Sequence, residues 1–274
     1  MTAFRTKNAD YVDQKAAKRE GGWLMSSLAI SAVVFACVFG GALLGMLLRA
    51  ALPQHHLSPE SKDGVKLGIG LIATMAALVL GLLIASAKSS FDSQRNELTQ
   101  MSANVIFLDR VLARYGPETR EAREGLRGAV VSALDRMWPE DRSRPVQVQG
   151  TSESEAVFDK LQQLAPKNET QRALQAQALK LGTDVAQTRW LLFAQRSSSI
   201  PLPFLVILVF WLTIIFASFS LFARLNLTLI VALLVFAISA SAALFLILEL
   251  GQPFTGLMRI SDAPLRNALA PLEP

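Results

Sequence analysis

Four long apolar blocks set the pattern of the chain, at residues 23–52, 67–87, 200–223 and 225–250. Charges enter them only near their ends, Arg49 in the first and Glu249 in the last. About 20 apolar residues, rising about 1.5 Å each, cross a hydrocarbon core about 30 Å thick. The blocks therefore predict four transmembrane helices, TM1 at 23–52, TM2 at 67–87, TM3 at 200–223 and TM4 at 227–250. Core helices of a soluble protein are shorter and keep a polar stripe. TM1 is too long for the apolar region of a signal peptide, and no small-residue cleavage pattern follows it, so it is read as an anchor.

The pattern changes between TM2 and TM3. Phe91, Leu98, Met101, Val105, Leu108, Leu112 and Tyr115 fall at helical steps, which lets the TM2 helix run on until Gly116-Pro117 stops it. A further amphipathic helix is predicted from Pro117 to Trp138, with Leu126, Val130 and Leu134 on one side. Residues 141–151 read as a polar loop. Ser152 and Glu155 have capping-box spacing, and Val157, Leu161 and Leu164 then form an apolar edge. A last helix, Lys167 to Gln195, leads back towards TM3, with Leu174, Leu179, Leu181 and Val185 loosely periodic. No strand pattern appears. The expected fold class is an all-α integral membrane protein of four transmembrane helices with a large helical cytoplasmic insertion at 88–199.

Lys and Arg mark the cytoplasmic side. Segment 1–22 carries Arg5, Lys7, Lys15, Lys18 and Arg19; the insertion carries Lys88, Arg95, Arg189 and Arg196 near the membrane; the tail 251–274 adds Arg259 and Arg266. The loop at 53–66 has only Lys62 and Lys66, and the turn at 224–226 only Arg224. Both termini and the insertion are thus expected in the cytoplasm, with the two short connections outside. The turn at 224–226 makes TM3 and TM4 an antiparallel hairpin, and Ser197, Ser198 and Ser199 with Pro201 and Pro203 suit the start of TM3.

Composition agrees with this picture: 51% of the 274 residues are hydrophobic and 18% charged, with a net charge of +5. The insertion holds 16 Lys/Arg and 14 Asp/Glu, many at helical pair spacing (Asp92 with Arg95, Arg120 with Glu124, Glu124 with Arg127), as on a solvated helical face. Candidate chemistry is sparse. Cys37 stands alone in TM1, and His55 and His56 are adjacent in the outer loop with no third ligand. Gly68-Ile-Gly70 has no strand before it, and the sequons at Asn168 and Asn226 fall on a cytoplasmic and a membrane-edge position. No nucleophile with a base is found. The chain is not expected to be an enzyme, and no cofactor, metal or nucleic-acid site is expected.

Small residues recur at four-residue steps in two helices, Gly41 and Gly45 in TM1 and Ala73, Ala77, Gly81 and Ala85 in TM2. Such stripes let helices approach closely, and packing within the chain is the preferred reading of both. Another side of TM2 offers Ile72, Met75, Val79 and Leu83 as candidate pore-lining residues able to form a hydrophobic constriction. Four helices with almost no internal charge do not enclose a wet path alone, so conduction requires several copies around an axis.

Three stretches carry a family resemblance: LGIGLIATMAALVLGLLIASAKSSFDSQRNEL, IFLDRVLARYGPETREAREGLR and LILELGQPFTGLMRISDAPLRNAL. Their most specific parts are Leu108-Asp109-Arg110 through Tyr115-Gly116-Pro117, and Glu249 to Pro253-Phe254 and Gly256 through Ser261 to Pro264-Leu265. Together they resemble the bestrophin-like family of bacterial membrane proteins, distantly similar to bestrophin anion channels. Gly251 stands where that family commonly has an Asp after the Glu-Leu pair. The resemblance implies a homo-oligomer, a pentamer by analogy, in a bacterial inner (plasma) membrane, with lipid and inorganic anions as partners.

Glu249 then lies at the cytoplasmic end of TM4, where a carboxylate avoids most of the cost of the bilayer centre. Pro253 ends the helix, Gly251 and Gly256 allow a bend, and Ser261 or Asp262 caps a short helix with Leu265 and Leu269 on one face. Lys88, Arg95, Glu249 and Gln252 are the candidates for a cytoplasmic mouth, with Glu249 and Gln252 expected to tie the tail to Lys88 or Arg95. An oligomeric anion channel is the leading functional expectation. A non-conducting scaffold or sensor binding a partner through the insertion is the alternative, and a transporter fits less well because no buried charges or broken helices appear.

Overall fold

The computed structural model describes residues 27–51, 59–139, 152–195, 202–223 and 226–272. The expectations for segment 1–22, the histidines, the 141–151 loop, Arg196, the serine caps, Pro201 and Arg224 lie outside the described residues. The regular secondary structure of the described residues is all helical, without strands: α1 Ser27–Ala51, α2 Pro59–Tyr115, α3 Arg120–Met137, α4 Ser152–Gln162, α5 Glu169–Gln195, α6 Leu202–Phe222, α7 Leu227–Leu250 and α8 Ala263–Leu269. Short 3₁₀ turns occupy Pro117–Thr119 and Ala270–Leu272. Four helices, α1, α2, α6 and α7, are long and apolar enough to cross a bilayer.

The chain divides into two compact units, residues 1–80 with 203–246 and residues 81–202 with 247–274. The first is the apolar one. Its α1 packs on α6 through backbone rather than side-chain bulk. A Cβ added at Gly41 would meet Thr213 Cγ2 at 2.6 Å, and one at Gly45 would lie 2.1 Å from the carbonyl oxygen of Ala217. The small pairs on both helices are four residues apart, so one stripe meets the other, the close approach that lipid-embedded helices need. Val34, Val38 and Ala42 of α1, Leu208 and Ile215 of α6, and Leu233, Ala237 and Leu244 of α7 are buried in this unit. Its buried hydroxyls bond to their own helices: Ser31 Oγ donates to the Ser27 carbonyl at 2.8 Å, Ser220 to Phe216 at 2.9 Å and Ser241 to Ala237 at 2.8 Å. These bonds offset the cost of burying a hydroxyl in an apolar setting; Ser27, also buried, differs in that its Oγ is covered without a hydrogen-bond partner.

Helix α2 is much longer than a bilayer crossing needs. Its 57 residues extend about 85 Å at helical rise. It starts at Pro59, inside the segment read as a loop, because proline is well placed in a first turn whose N–H groups have no partner. Lys66 and Asp63 add an exposed pair at 3.2 Å.

The second unit is a bundle. Leu98, Met101, Val105, Leu108 and Leu112 of α2 share one buried core with Leu126, Val130 and Leu134 of α3, Val157 and Leu161 of α4, and Ala178 and Leu192 of α5. The α2–α3 turn is tightly made. Gly116 has φ +134°, a conformation side chains rarely adopt. Thr119, almost fully buried, donates its hydroxyl to the carbonyls of Leu112 at 2.7 Å and Gly116 at 2.8 Å. Asn168 caps α5, its Oδ1 accepting the Gln171 N–H at 2.7 Å, which gives the residue a structural role in place of the sequon reading. The tail belongs to this unit as well. Trp138 Nε1 donates to the Ile260 carbonyl at 2.9 Å, and its ring meets Phe254 edge-on at 5.8 Å. In α8 it is Leu265 and Ala268 that are buried, with Leu272 beyond them; Leu269 packs at the margin.

Candidate functional site

The two small-residue stripes part company in the structure. Those of α1 are used inside the chain. Those of α2 are not: Ala77, Gly81 and Ala85 are exposed, and a Cβ added at Gly81 would meet nothing within 4 Å. The preferred reading, packing within the chain, is therefore corrected for TM2 and holds for TM1. The face that α2 turns to its own chain is Ile69, Ala76 and Ala87, spaced by seven and eleven residues and so on one side. Of the four candidate pore-lining residues, Met75 is exposed, while Ile72, Val79 and Leu83 are half-buried and flank the covered side. The uncovered stripe is Leu71, Met75, Leu78 and Leu82, and Leu78 is 75% exposed. Across its most apolar window α2 is 11% buried, against 33% for α1, 22% for α6 and 28% for α7.

The four candidate mouth residues do not form the expected tie. Lys88 pairs with Asp92, one turn on, and its ammonium stands 5.9 Å from the Phe91 ring centre. Arg95 is exposed. Gln252 Oε1 accepts a bond from Thr255 Oγ1 at 3.3 Å. Glu249 is 5% exposed and turns to its own tail: Oε2 accepts the Leu257 backbone N–H at 2.6 Å. A carboxylate at a helix C-terminus opposes the helix dipole, so this charge-assisted bond offsets an unfavourable position. Gly256 makes the contact feasible. Its φ is +82°, and a Cβ there would sit 2.5 Å from Glu249 Oε2. Gly251, by contrast, continues helical bonding, its N–H donating to the Ile247 carbonyl at 3.2 Å. In front of α8 the Ser261 Oγ accepts the Ala263 N–H at 3.2 Å, and Asp262 pairs with Arg266 instead of capping.

Sequence reasoning missed one buried ion pair. Asp109, its side chain 4% exposed, receives Arg123 Nε at 2.7 Å and Nη2 at 3.1 Å in a two-pronged bridge from α3 to α2. The carboxylate raises the Arg123 guanidinium above its ordinary pKa, mainly through that hydrogen bond. A shorter-range pair, Arg120 with Glu124 at 3.1 Å, is exposed. Among the described residues no group of three or more His, Cys, Asp or Glu is placed to hold a metal ion.

The comparisons with known proteins follow the same outline. The bestrophin-like domain family matches residues 36–265. No curated protein matches the chain. Among solved structures, one variant of a bacterial bestrophin homologue from Klebsiella pneumoniae superposes with a TM-score of 0.64 at 16% identity, covering 88% of this chain and 97% of that one. A second variant of that protein gives a TM-score of 0.64 at 15% identity over 91% and 98%. At such identity the likeness is one of fold.

Proposed function

Because the chain belongs to the bestrophin-like family, we propose that it is an oligomeric channel for small inorganic anions, with one α2 from each copy arranged around a shared axis. The observation that carries this reading is the bareness of α2. Of the four apolar helices it is the one its own chain covers least. Lipid alone gives no reason for Ala77, Gly81 and Ala85 on that bare side, whereas neighbouring helices at close range do. A side chain that lines an axis must be uncovered in the single chain. The constriction is accordingly drawn from Met75 with Leu71, Leu78 and Leu82, and the half-buried Ile72, Val79 and Leu83 back it. Such a ring gates by excluding water.

Anion preference rests on the family resemblance and the net charge of +5. Lys88 and Arg95, both exposed, are the cations placed near the mouth. In this reading both termini and the second unit face the cytoplasm of a bacterium and the protein resides in its inner membrane, as the distribution of Lys and Arg favours. A non-conducting scaffold is the second reading; Phe107 and Val131, large apolar side chains exposed on the second unit, favour it. Purified protein in liposomes under a chloride gradient decides between them. The channel reading expects flux above that of empty liposomes, raised by Met75→Ser, which wets the constriction. No flux from either protein, across pH and Ca²⁺, refutes it in favour of the scaffold.

A further inference from the structure

The second unit contains a cavity of about 720 Å³ bordered by α2, α3, α4, α5 and α8. That volume lies within the range of about 300–1,000 Å³ typical of small-molecule sites. The wall is largely apolar, with Met101 of α2, Val130 and Met137 of α3 and Phe158 of α4. The surrounding core is closely packed: Leu108, Leu161 and Leu192, which also touch the cavity, are at most 2% exposed. The cavity opens to solvent at a rim where Glu155, Asp159 and Trp190 are exposed, and covering its apolar floor with hydrocarbon removes that surface from water.

Four charged side chains face the space: Arg136, Arg189, Glu155 and Asp159. They are not equivalent. Glu155 and Asp159 are exposed and keep their hydration. Arg189 is half-buried, and its Nε is completely covered without a hydrogen-bond partner. Burial pushes the guanidinium below its ordinary pKa, and the charge of Glu155 only partly opposes this. A covered N–H on a cation with no acceptor is costly, so the charge that lacks a complement here is positive, and it stands at the edge of an apolar chamber.

We infer that this chamber binds an amphiphile with a single carboxylate, its hydrocarbon body inside the cavity and its head paired with the Arg189 guanidinium. Arg136 adds a second cation at the same wall. The inference does not depend on conduction, because every residue it uses lies in the second unit.

The test uses the full chain in lipid nanodiscs and a photoactivatable diazirine derivative of dodecanoic acid, with the adducts mapped by mass spectrometry. Labelling is expected on α3 and α5, on peptides containing Ala133 and Trp190, and excess dodecanoate should remove it where dodecanol does not. Arg189→Gln should weaken labelling roughly tenfold, the loss of one charged hydrogen-bond partner. Arg189→Lys should retain most of it. Ala133→Phe, which fills the chamber and leaves both arginines, should abolish it. Since Arg189→Gln removes a desolvated charge, its melting temperature should not fall, which separates lost binding from lost folding. Adducts confined to α1, α6 and α7, equal competition by dodecanol, or unchanged labelling of Arg189→Gln would overturn the inference. So would labelling of dissociated chains only, since a neighbouring copy would then occupy the space.

Discussion

Helices α1 and α2 are written in similar letters and used in different ways. Both are apolar over more than a bilayer's width, and both carry small residues at four-residue intervals. In α1 the small residues seat another helix of the same chain: the Ala217 carbonyl occupies the place of a missing Cβ at Gly45. In α2 the equivalent space at Gly81 is empty. A small-residue stripe is therefore a statement that something comes close, not that it belongs to the same polypeptide. The exposed leucines of α2 point the same way.

The largest effect should come from setting the two glycines against each other. Gly45→Val puts a side chain into the α6 backbone, and a loss of about 3 kcal/mol or more is expected, enough to empty the folded peak in size-exclusion chromatography. Gly81→Val meets nothing within its own chain. It should leave the second unit's melting unchanged, while changing the apparent mass of the assembly in detergent.

The same contrast between covered and open groups applies to the ion pairs. Arg123→Ala strands the buried Asp109 carboxylate and should cost about 3 kcal/mol, read as a lower denaturation midpoint in a detergent-solubilised melt. Next comes the tail. Gly256→Ala must relinquish a left-handed backbone and crowd the Glu249 carboxylate, an expected loss of about 2 kcal/mol. Glu249→Gln keeps an acceptor for the Leu257 N–H but not its charge, and about 1 kcal/mol is expected. Limited proteolysis around Leu257 and Met258 checks both, because a loosened turn is cut first.

Smallest of all is the exposed pair of Glu118 with Lys167 at 2.7 Å. The lysine hydrogen bond lowers the Glu118 pKa, and the carboxylate raises that of Lys167. A lowered acid contributes above its unfolded value of about 4.3 and loses that contribution as the pH falls through its folded value. A raised lysine contributes below about 10.4 and loses its contribution as the pH rises through its folded value. Stability from this pair is thus flat between those limits. Glu118→Gln should leave the melting temperature unchanged at pH 7, and in high salt the pair should be silent at any pH.

What was legible in the sequence is what repeats locally. Apolar runs disclosed the four long helices, and the three- and four-residue steps from Leu98 to Leu112 disclosed the buried side of α2. Gly116-Pro117 marked its end. Three things were not legible. The continuation of α2 back to Pro59 has no apolar periodicity to betray it. The Asp109–Arg123 bridge joins residues 14 apart across a turn, outside the spacing at which helical pairs are recognised. The partner of Glu249 is a backbone N–H, which every residue but proline carries, so no side-chain pattern announces it. The sequence pointed to cations at Lys88 and Arg95; the tail itself provides the bond. The candidate pore residues show a related limit: periodicity finds a stripe on a helix but not which stripe the rest of the chain leaves bare, and of the four only Met75 is exposed, with Ile72, Val79 and Leu83 half-buried.

The most direct test is the number of subunits in the intact particle, counted by native mass spectrometry of protein released from nanodiscs. A closed ring, of five copies on the family resemblance, is the expected result, with Gly81→Val shifting the count or splitting the ring. A single folded chain that stays monomeric across lipid composition and concentration would mean that lipid, not other copies, covers the bare side of α2, and would contradict the proposal of an axial channel.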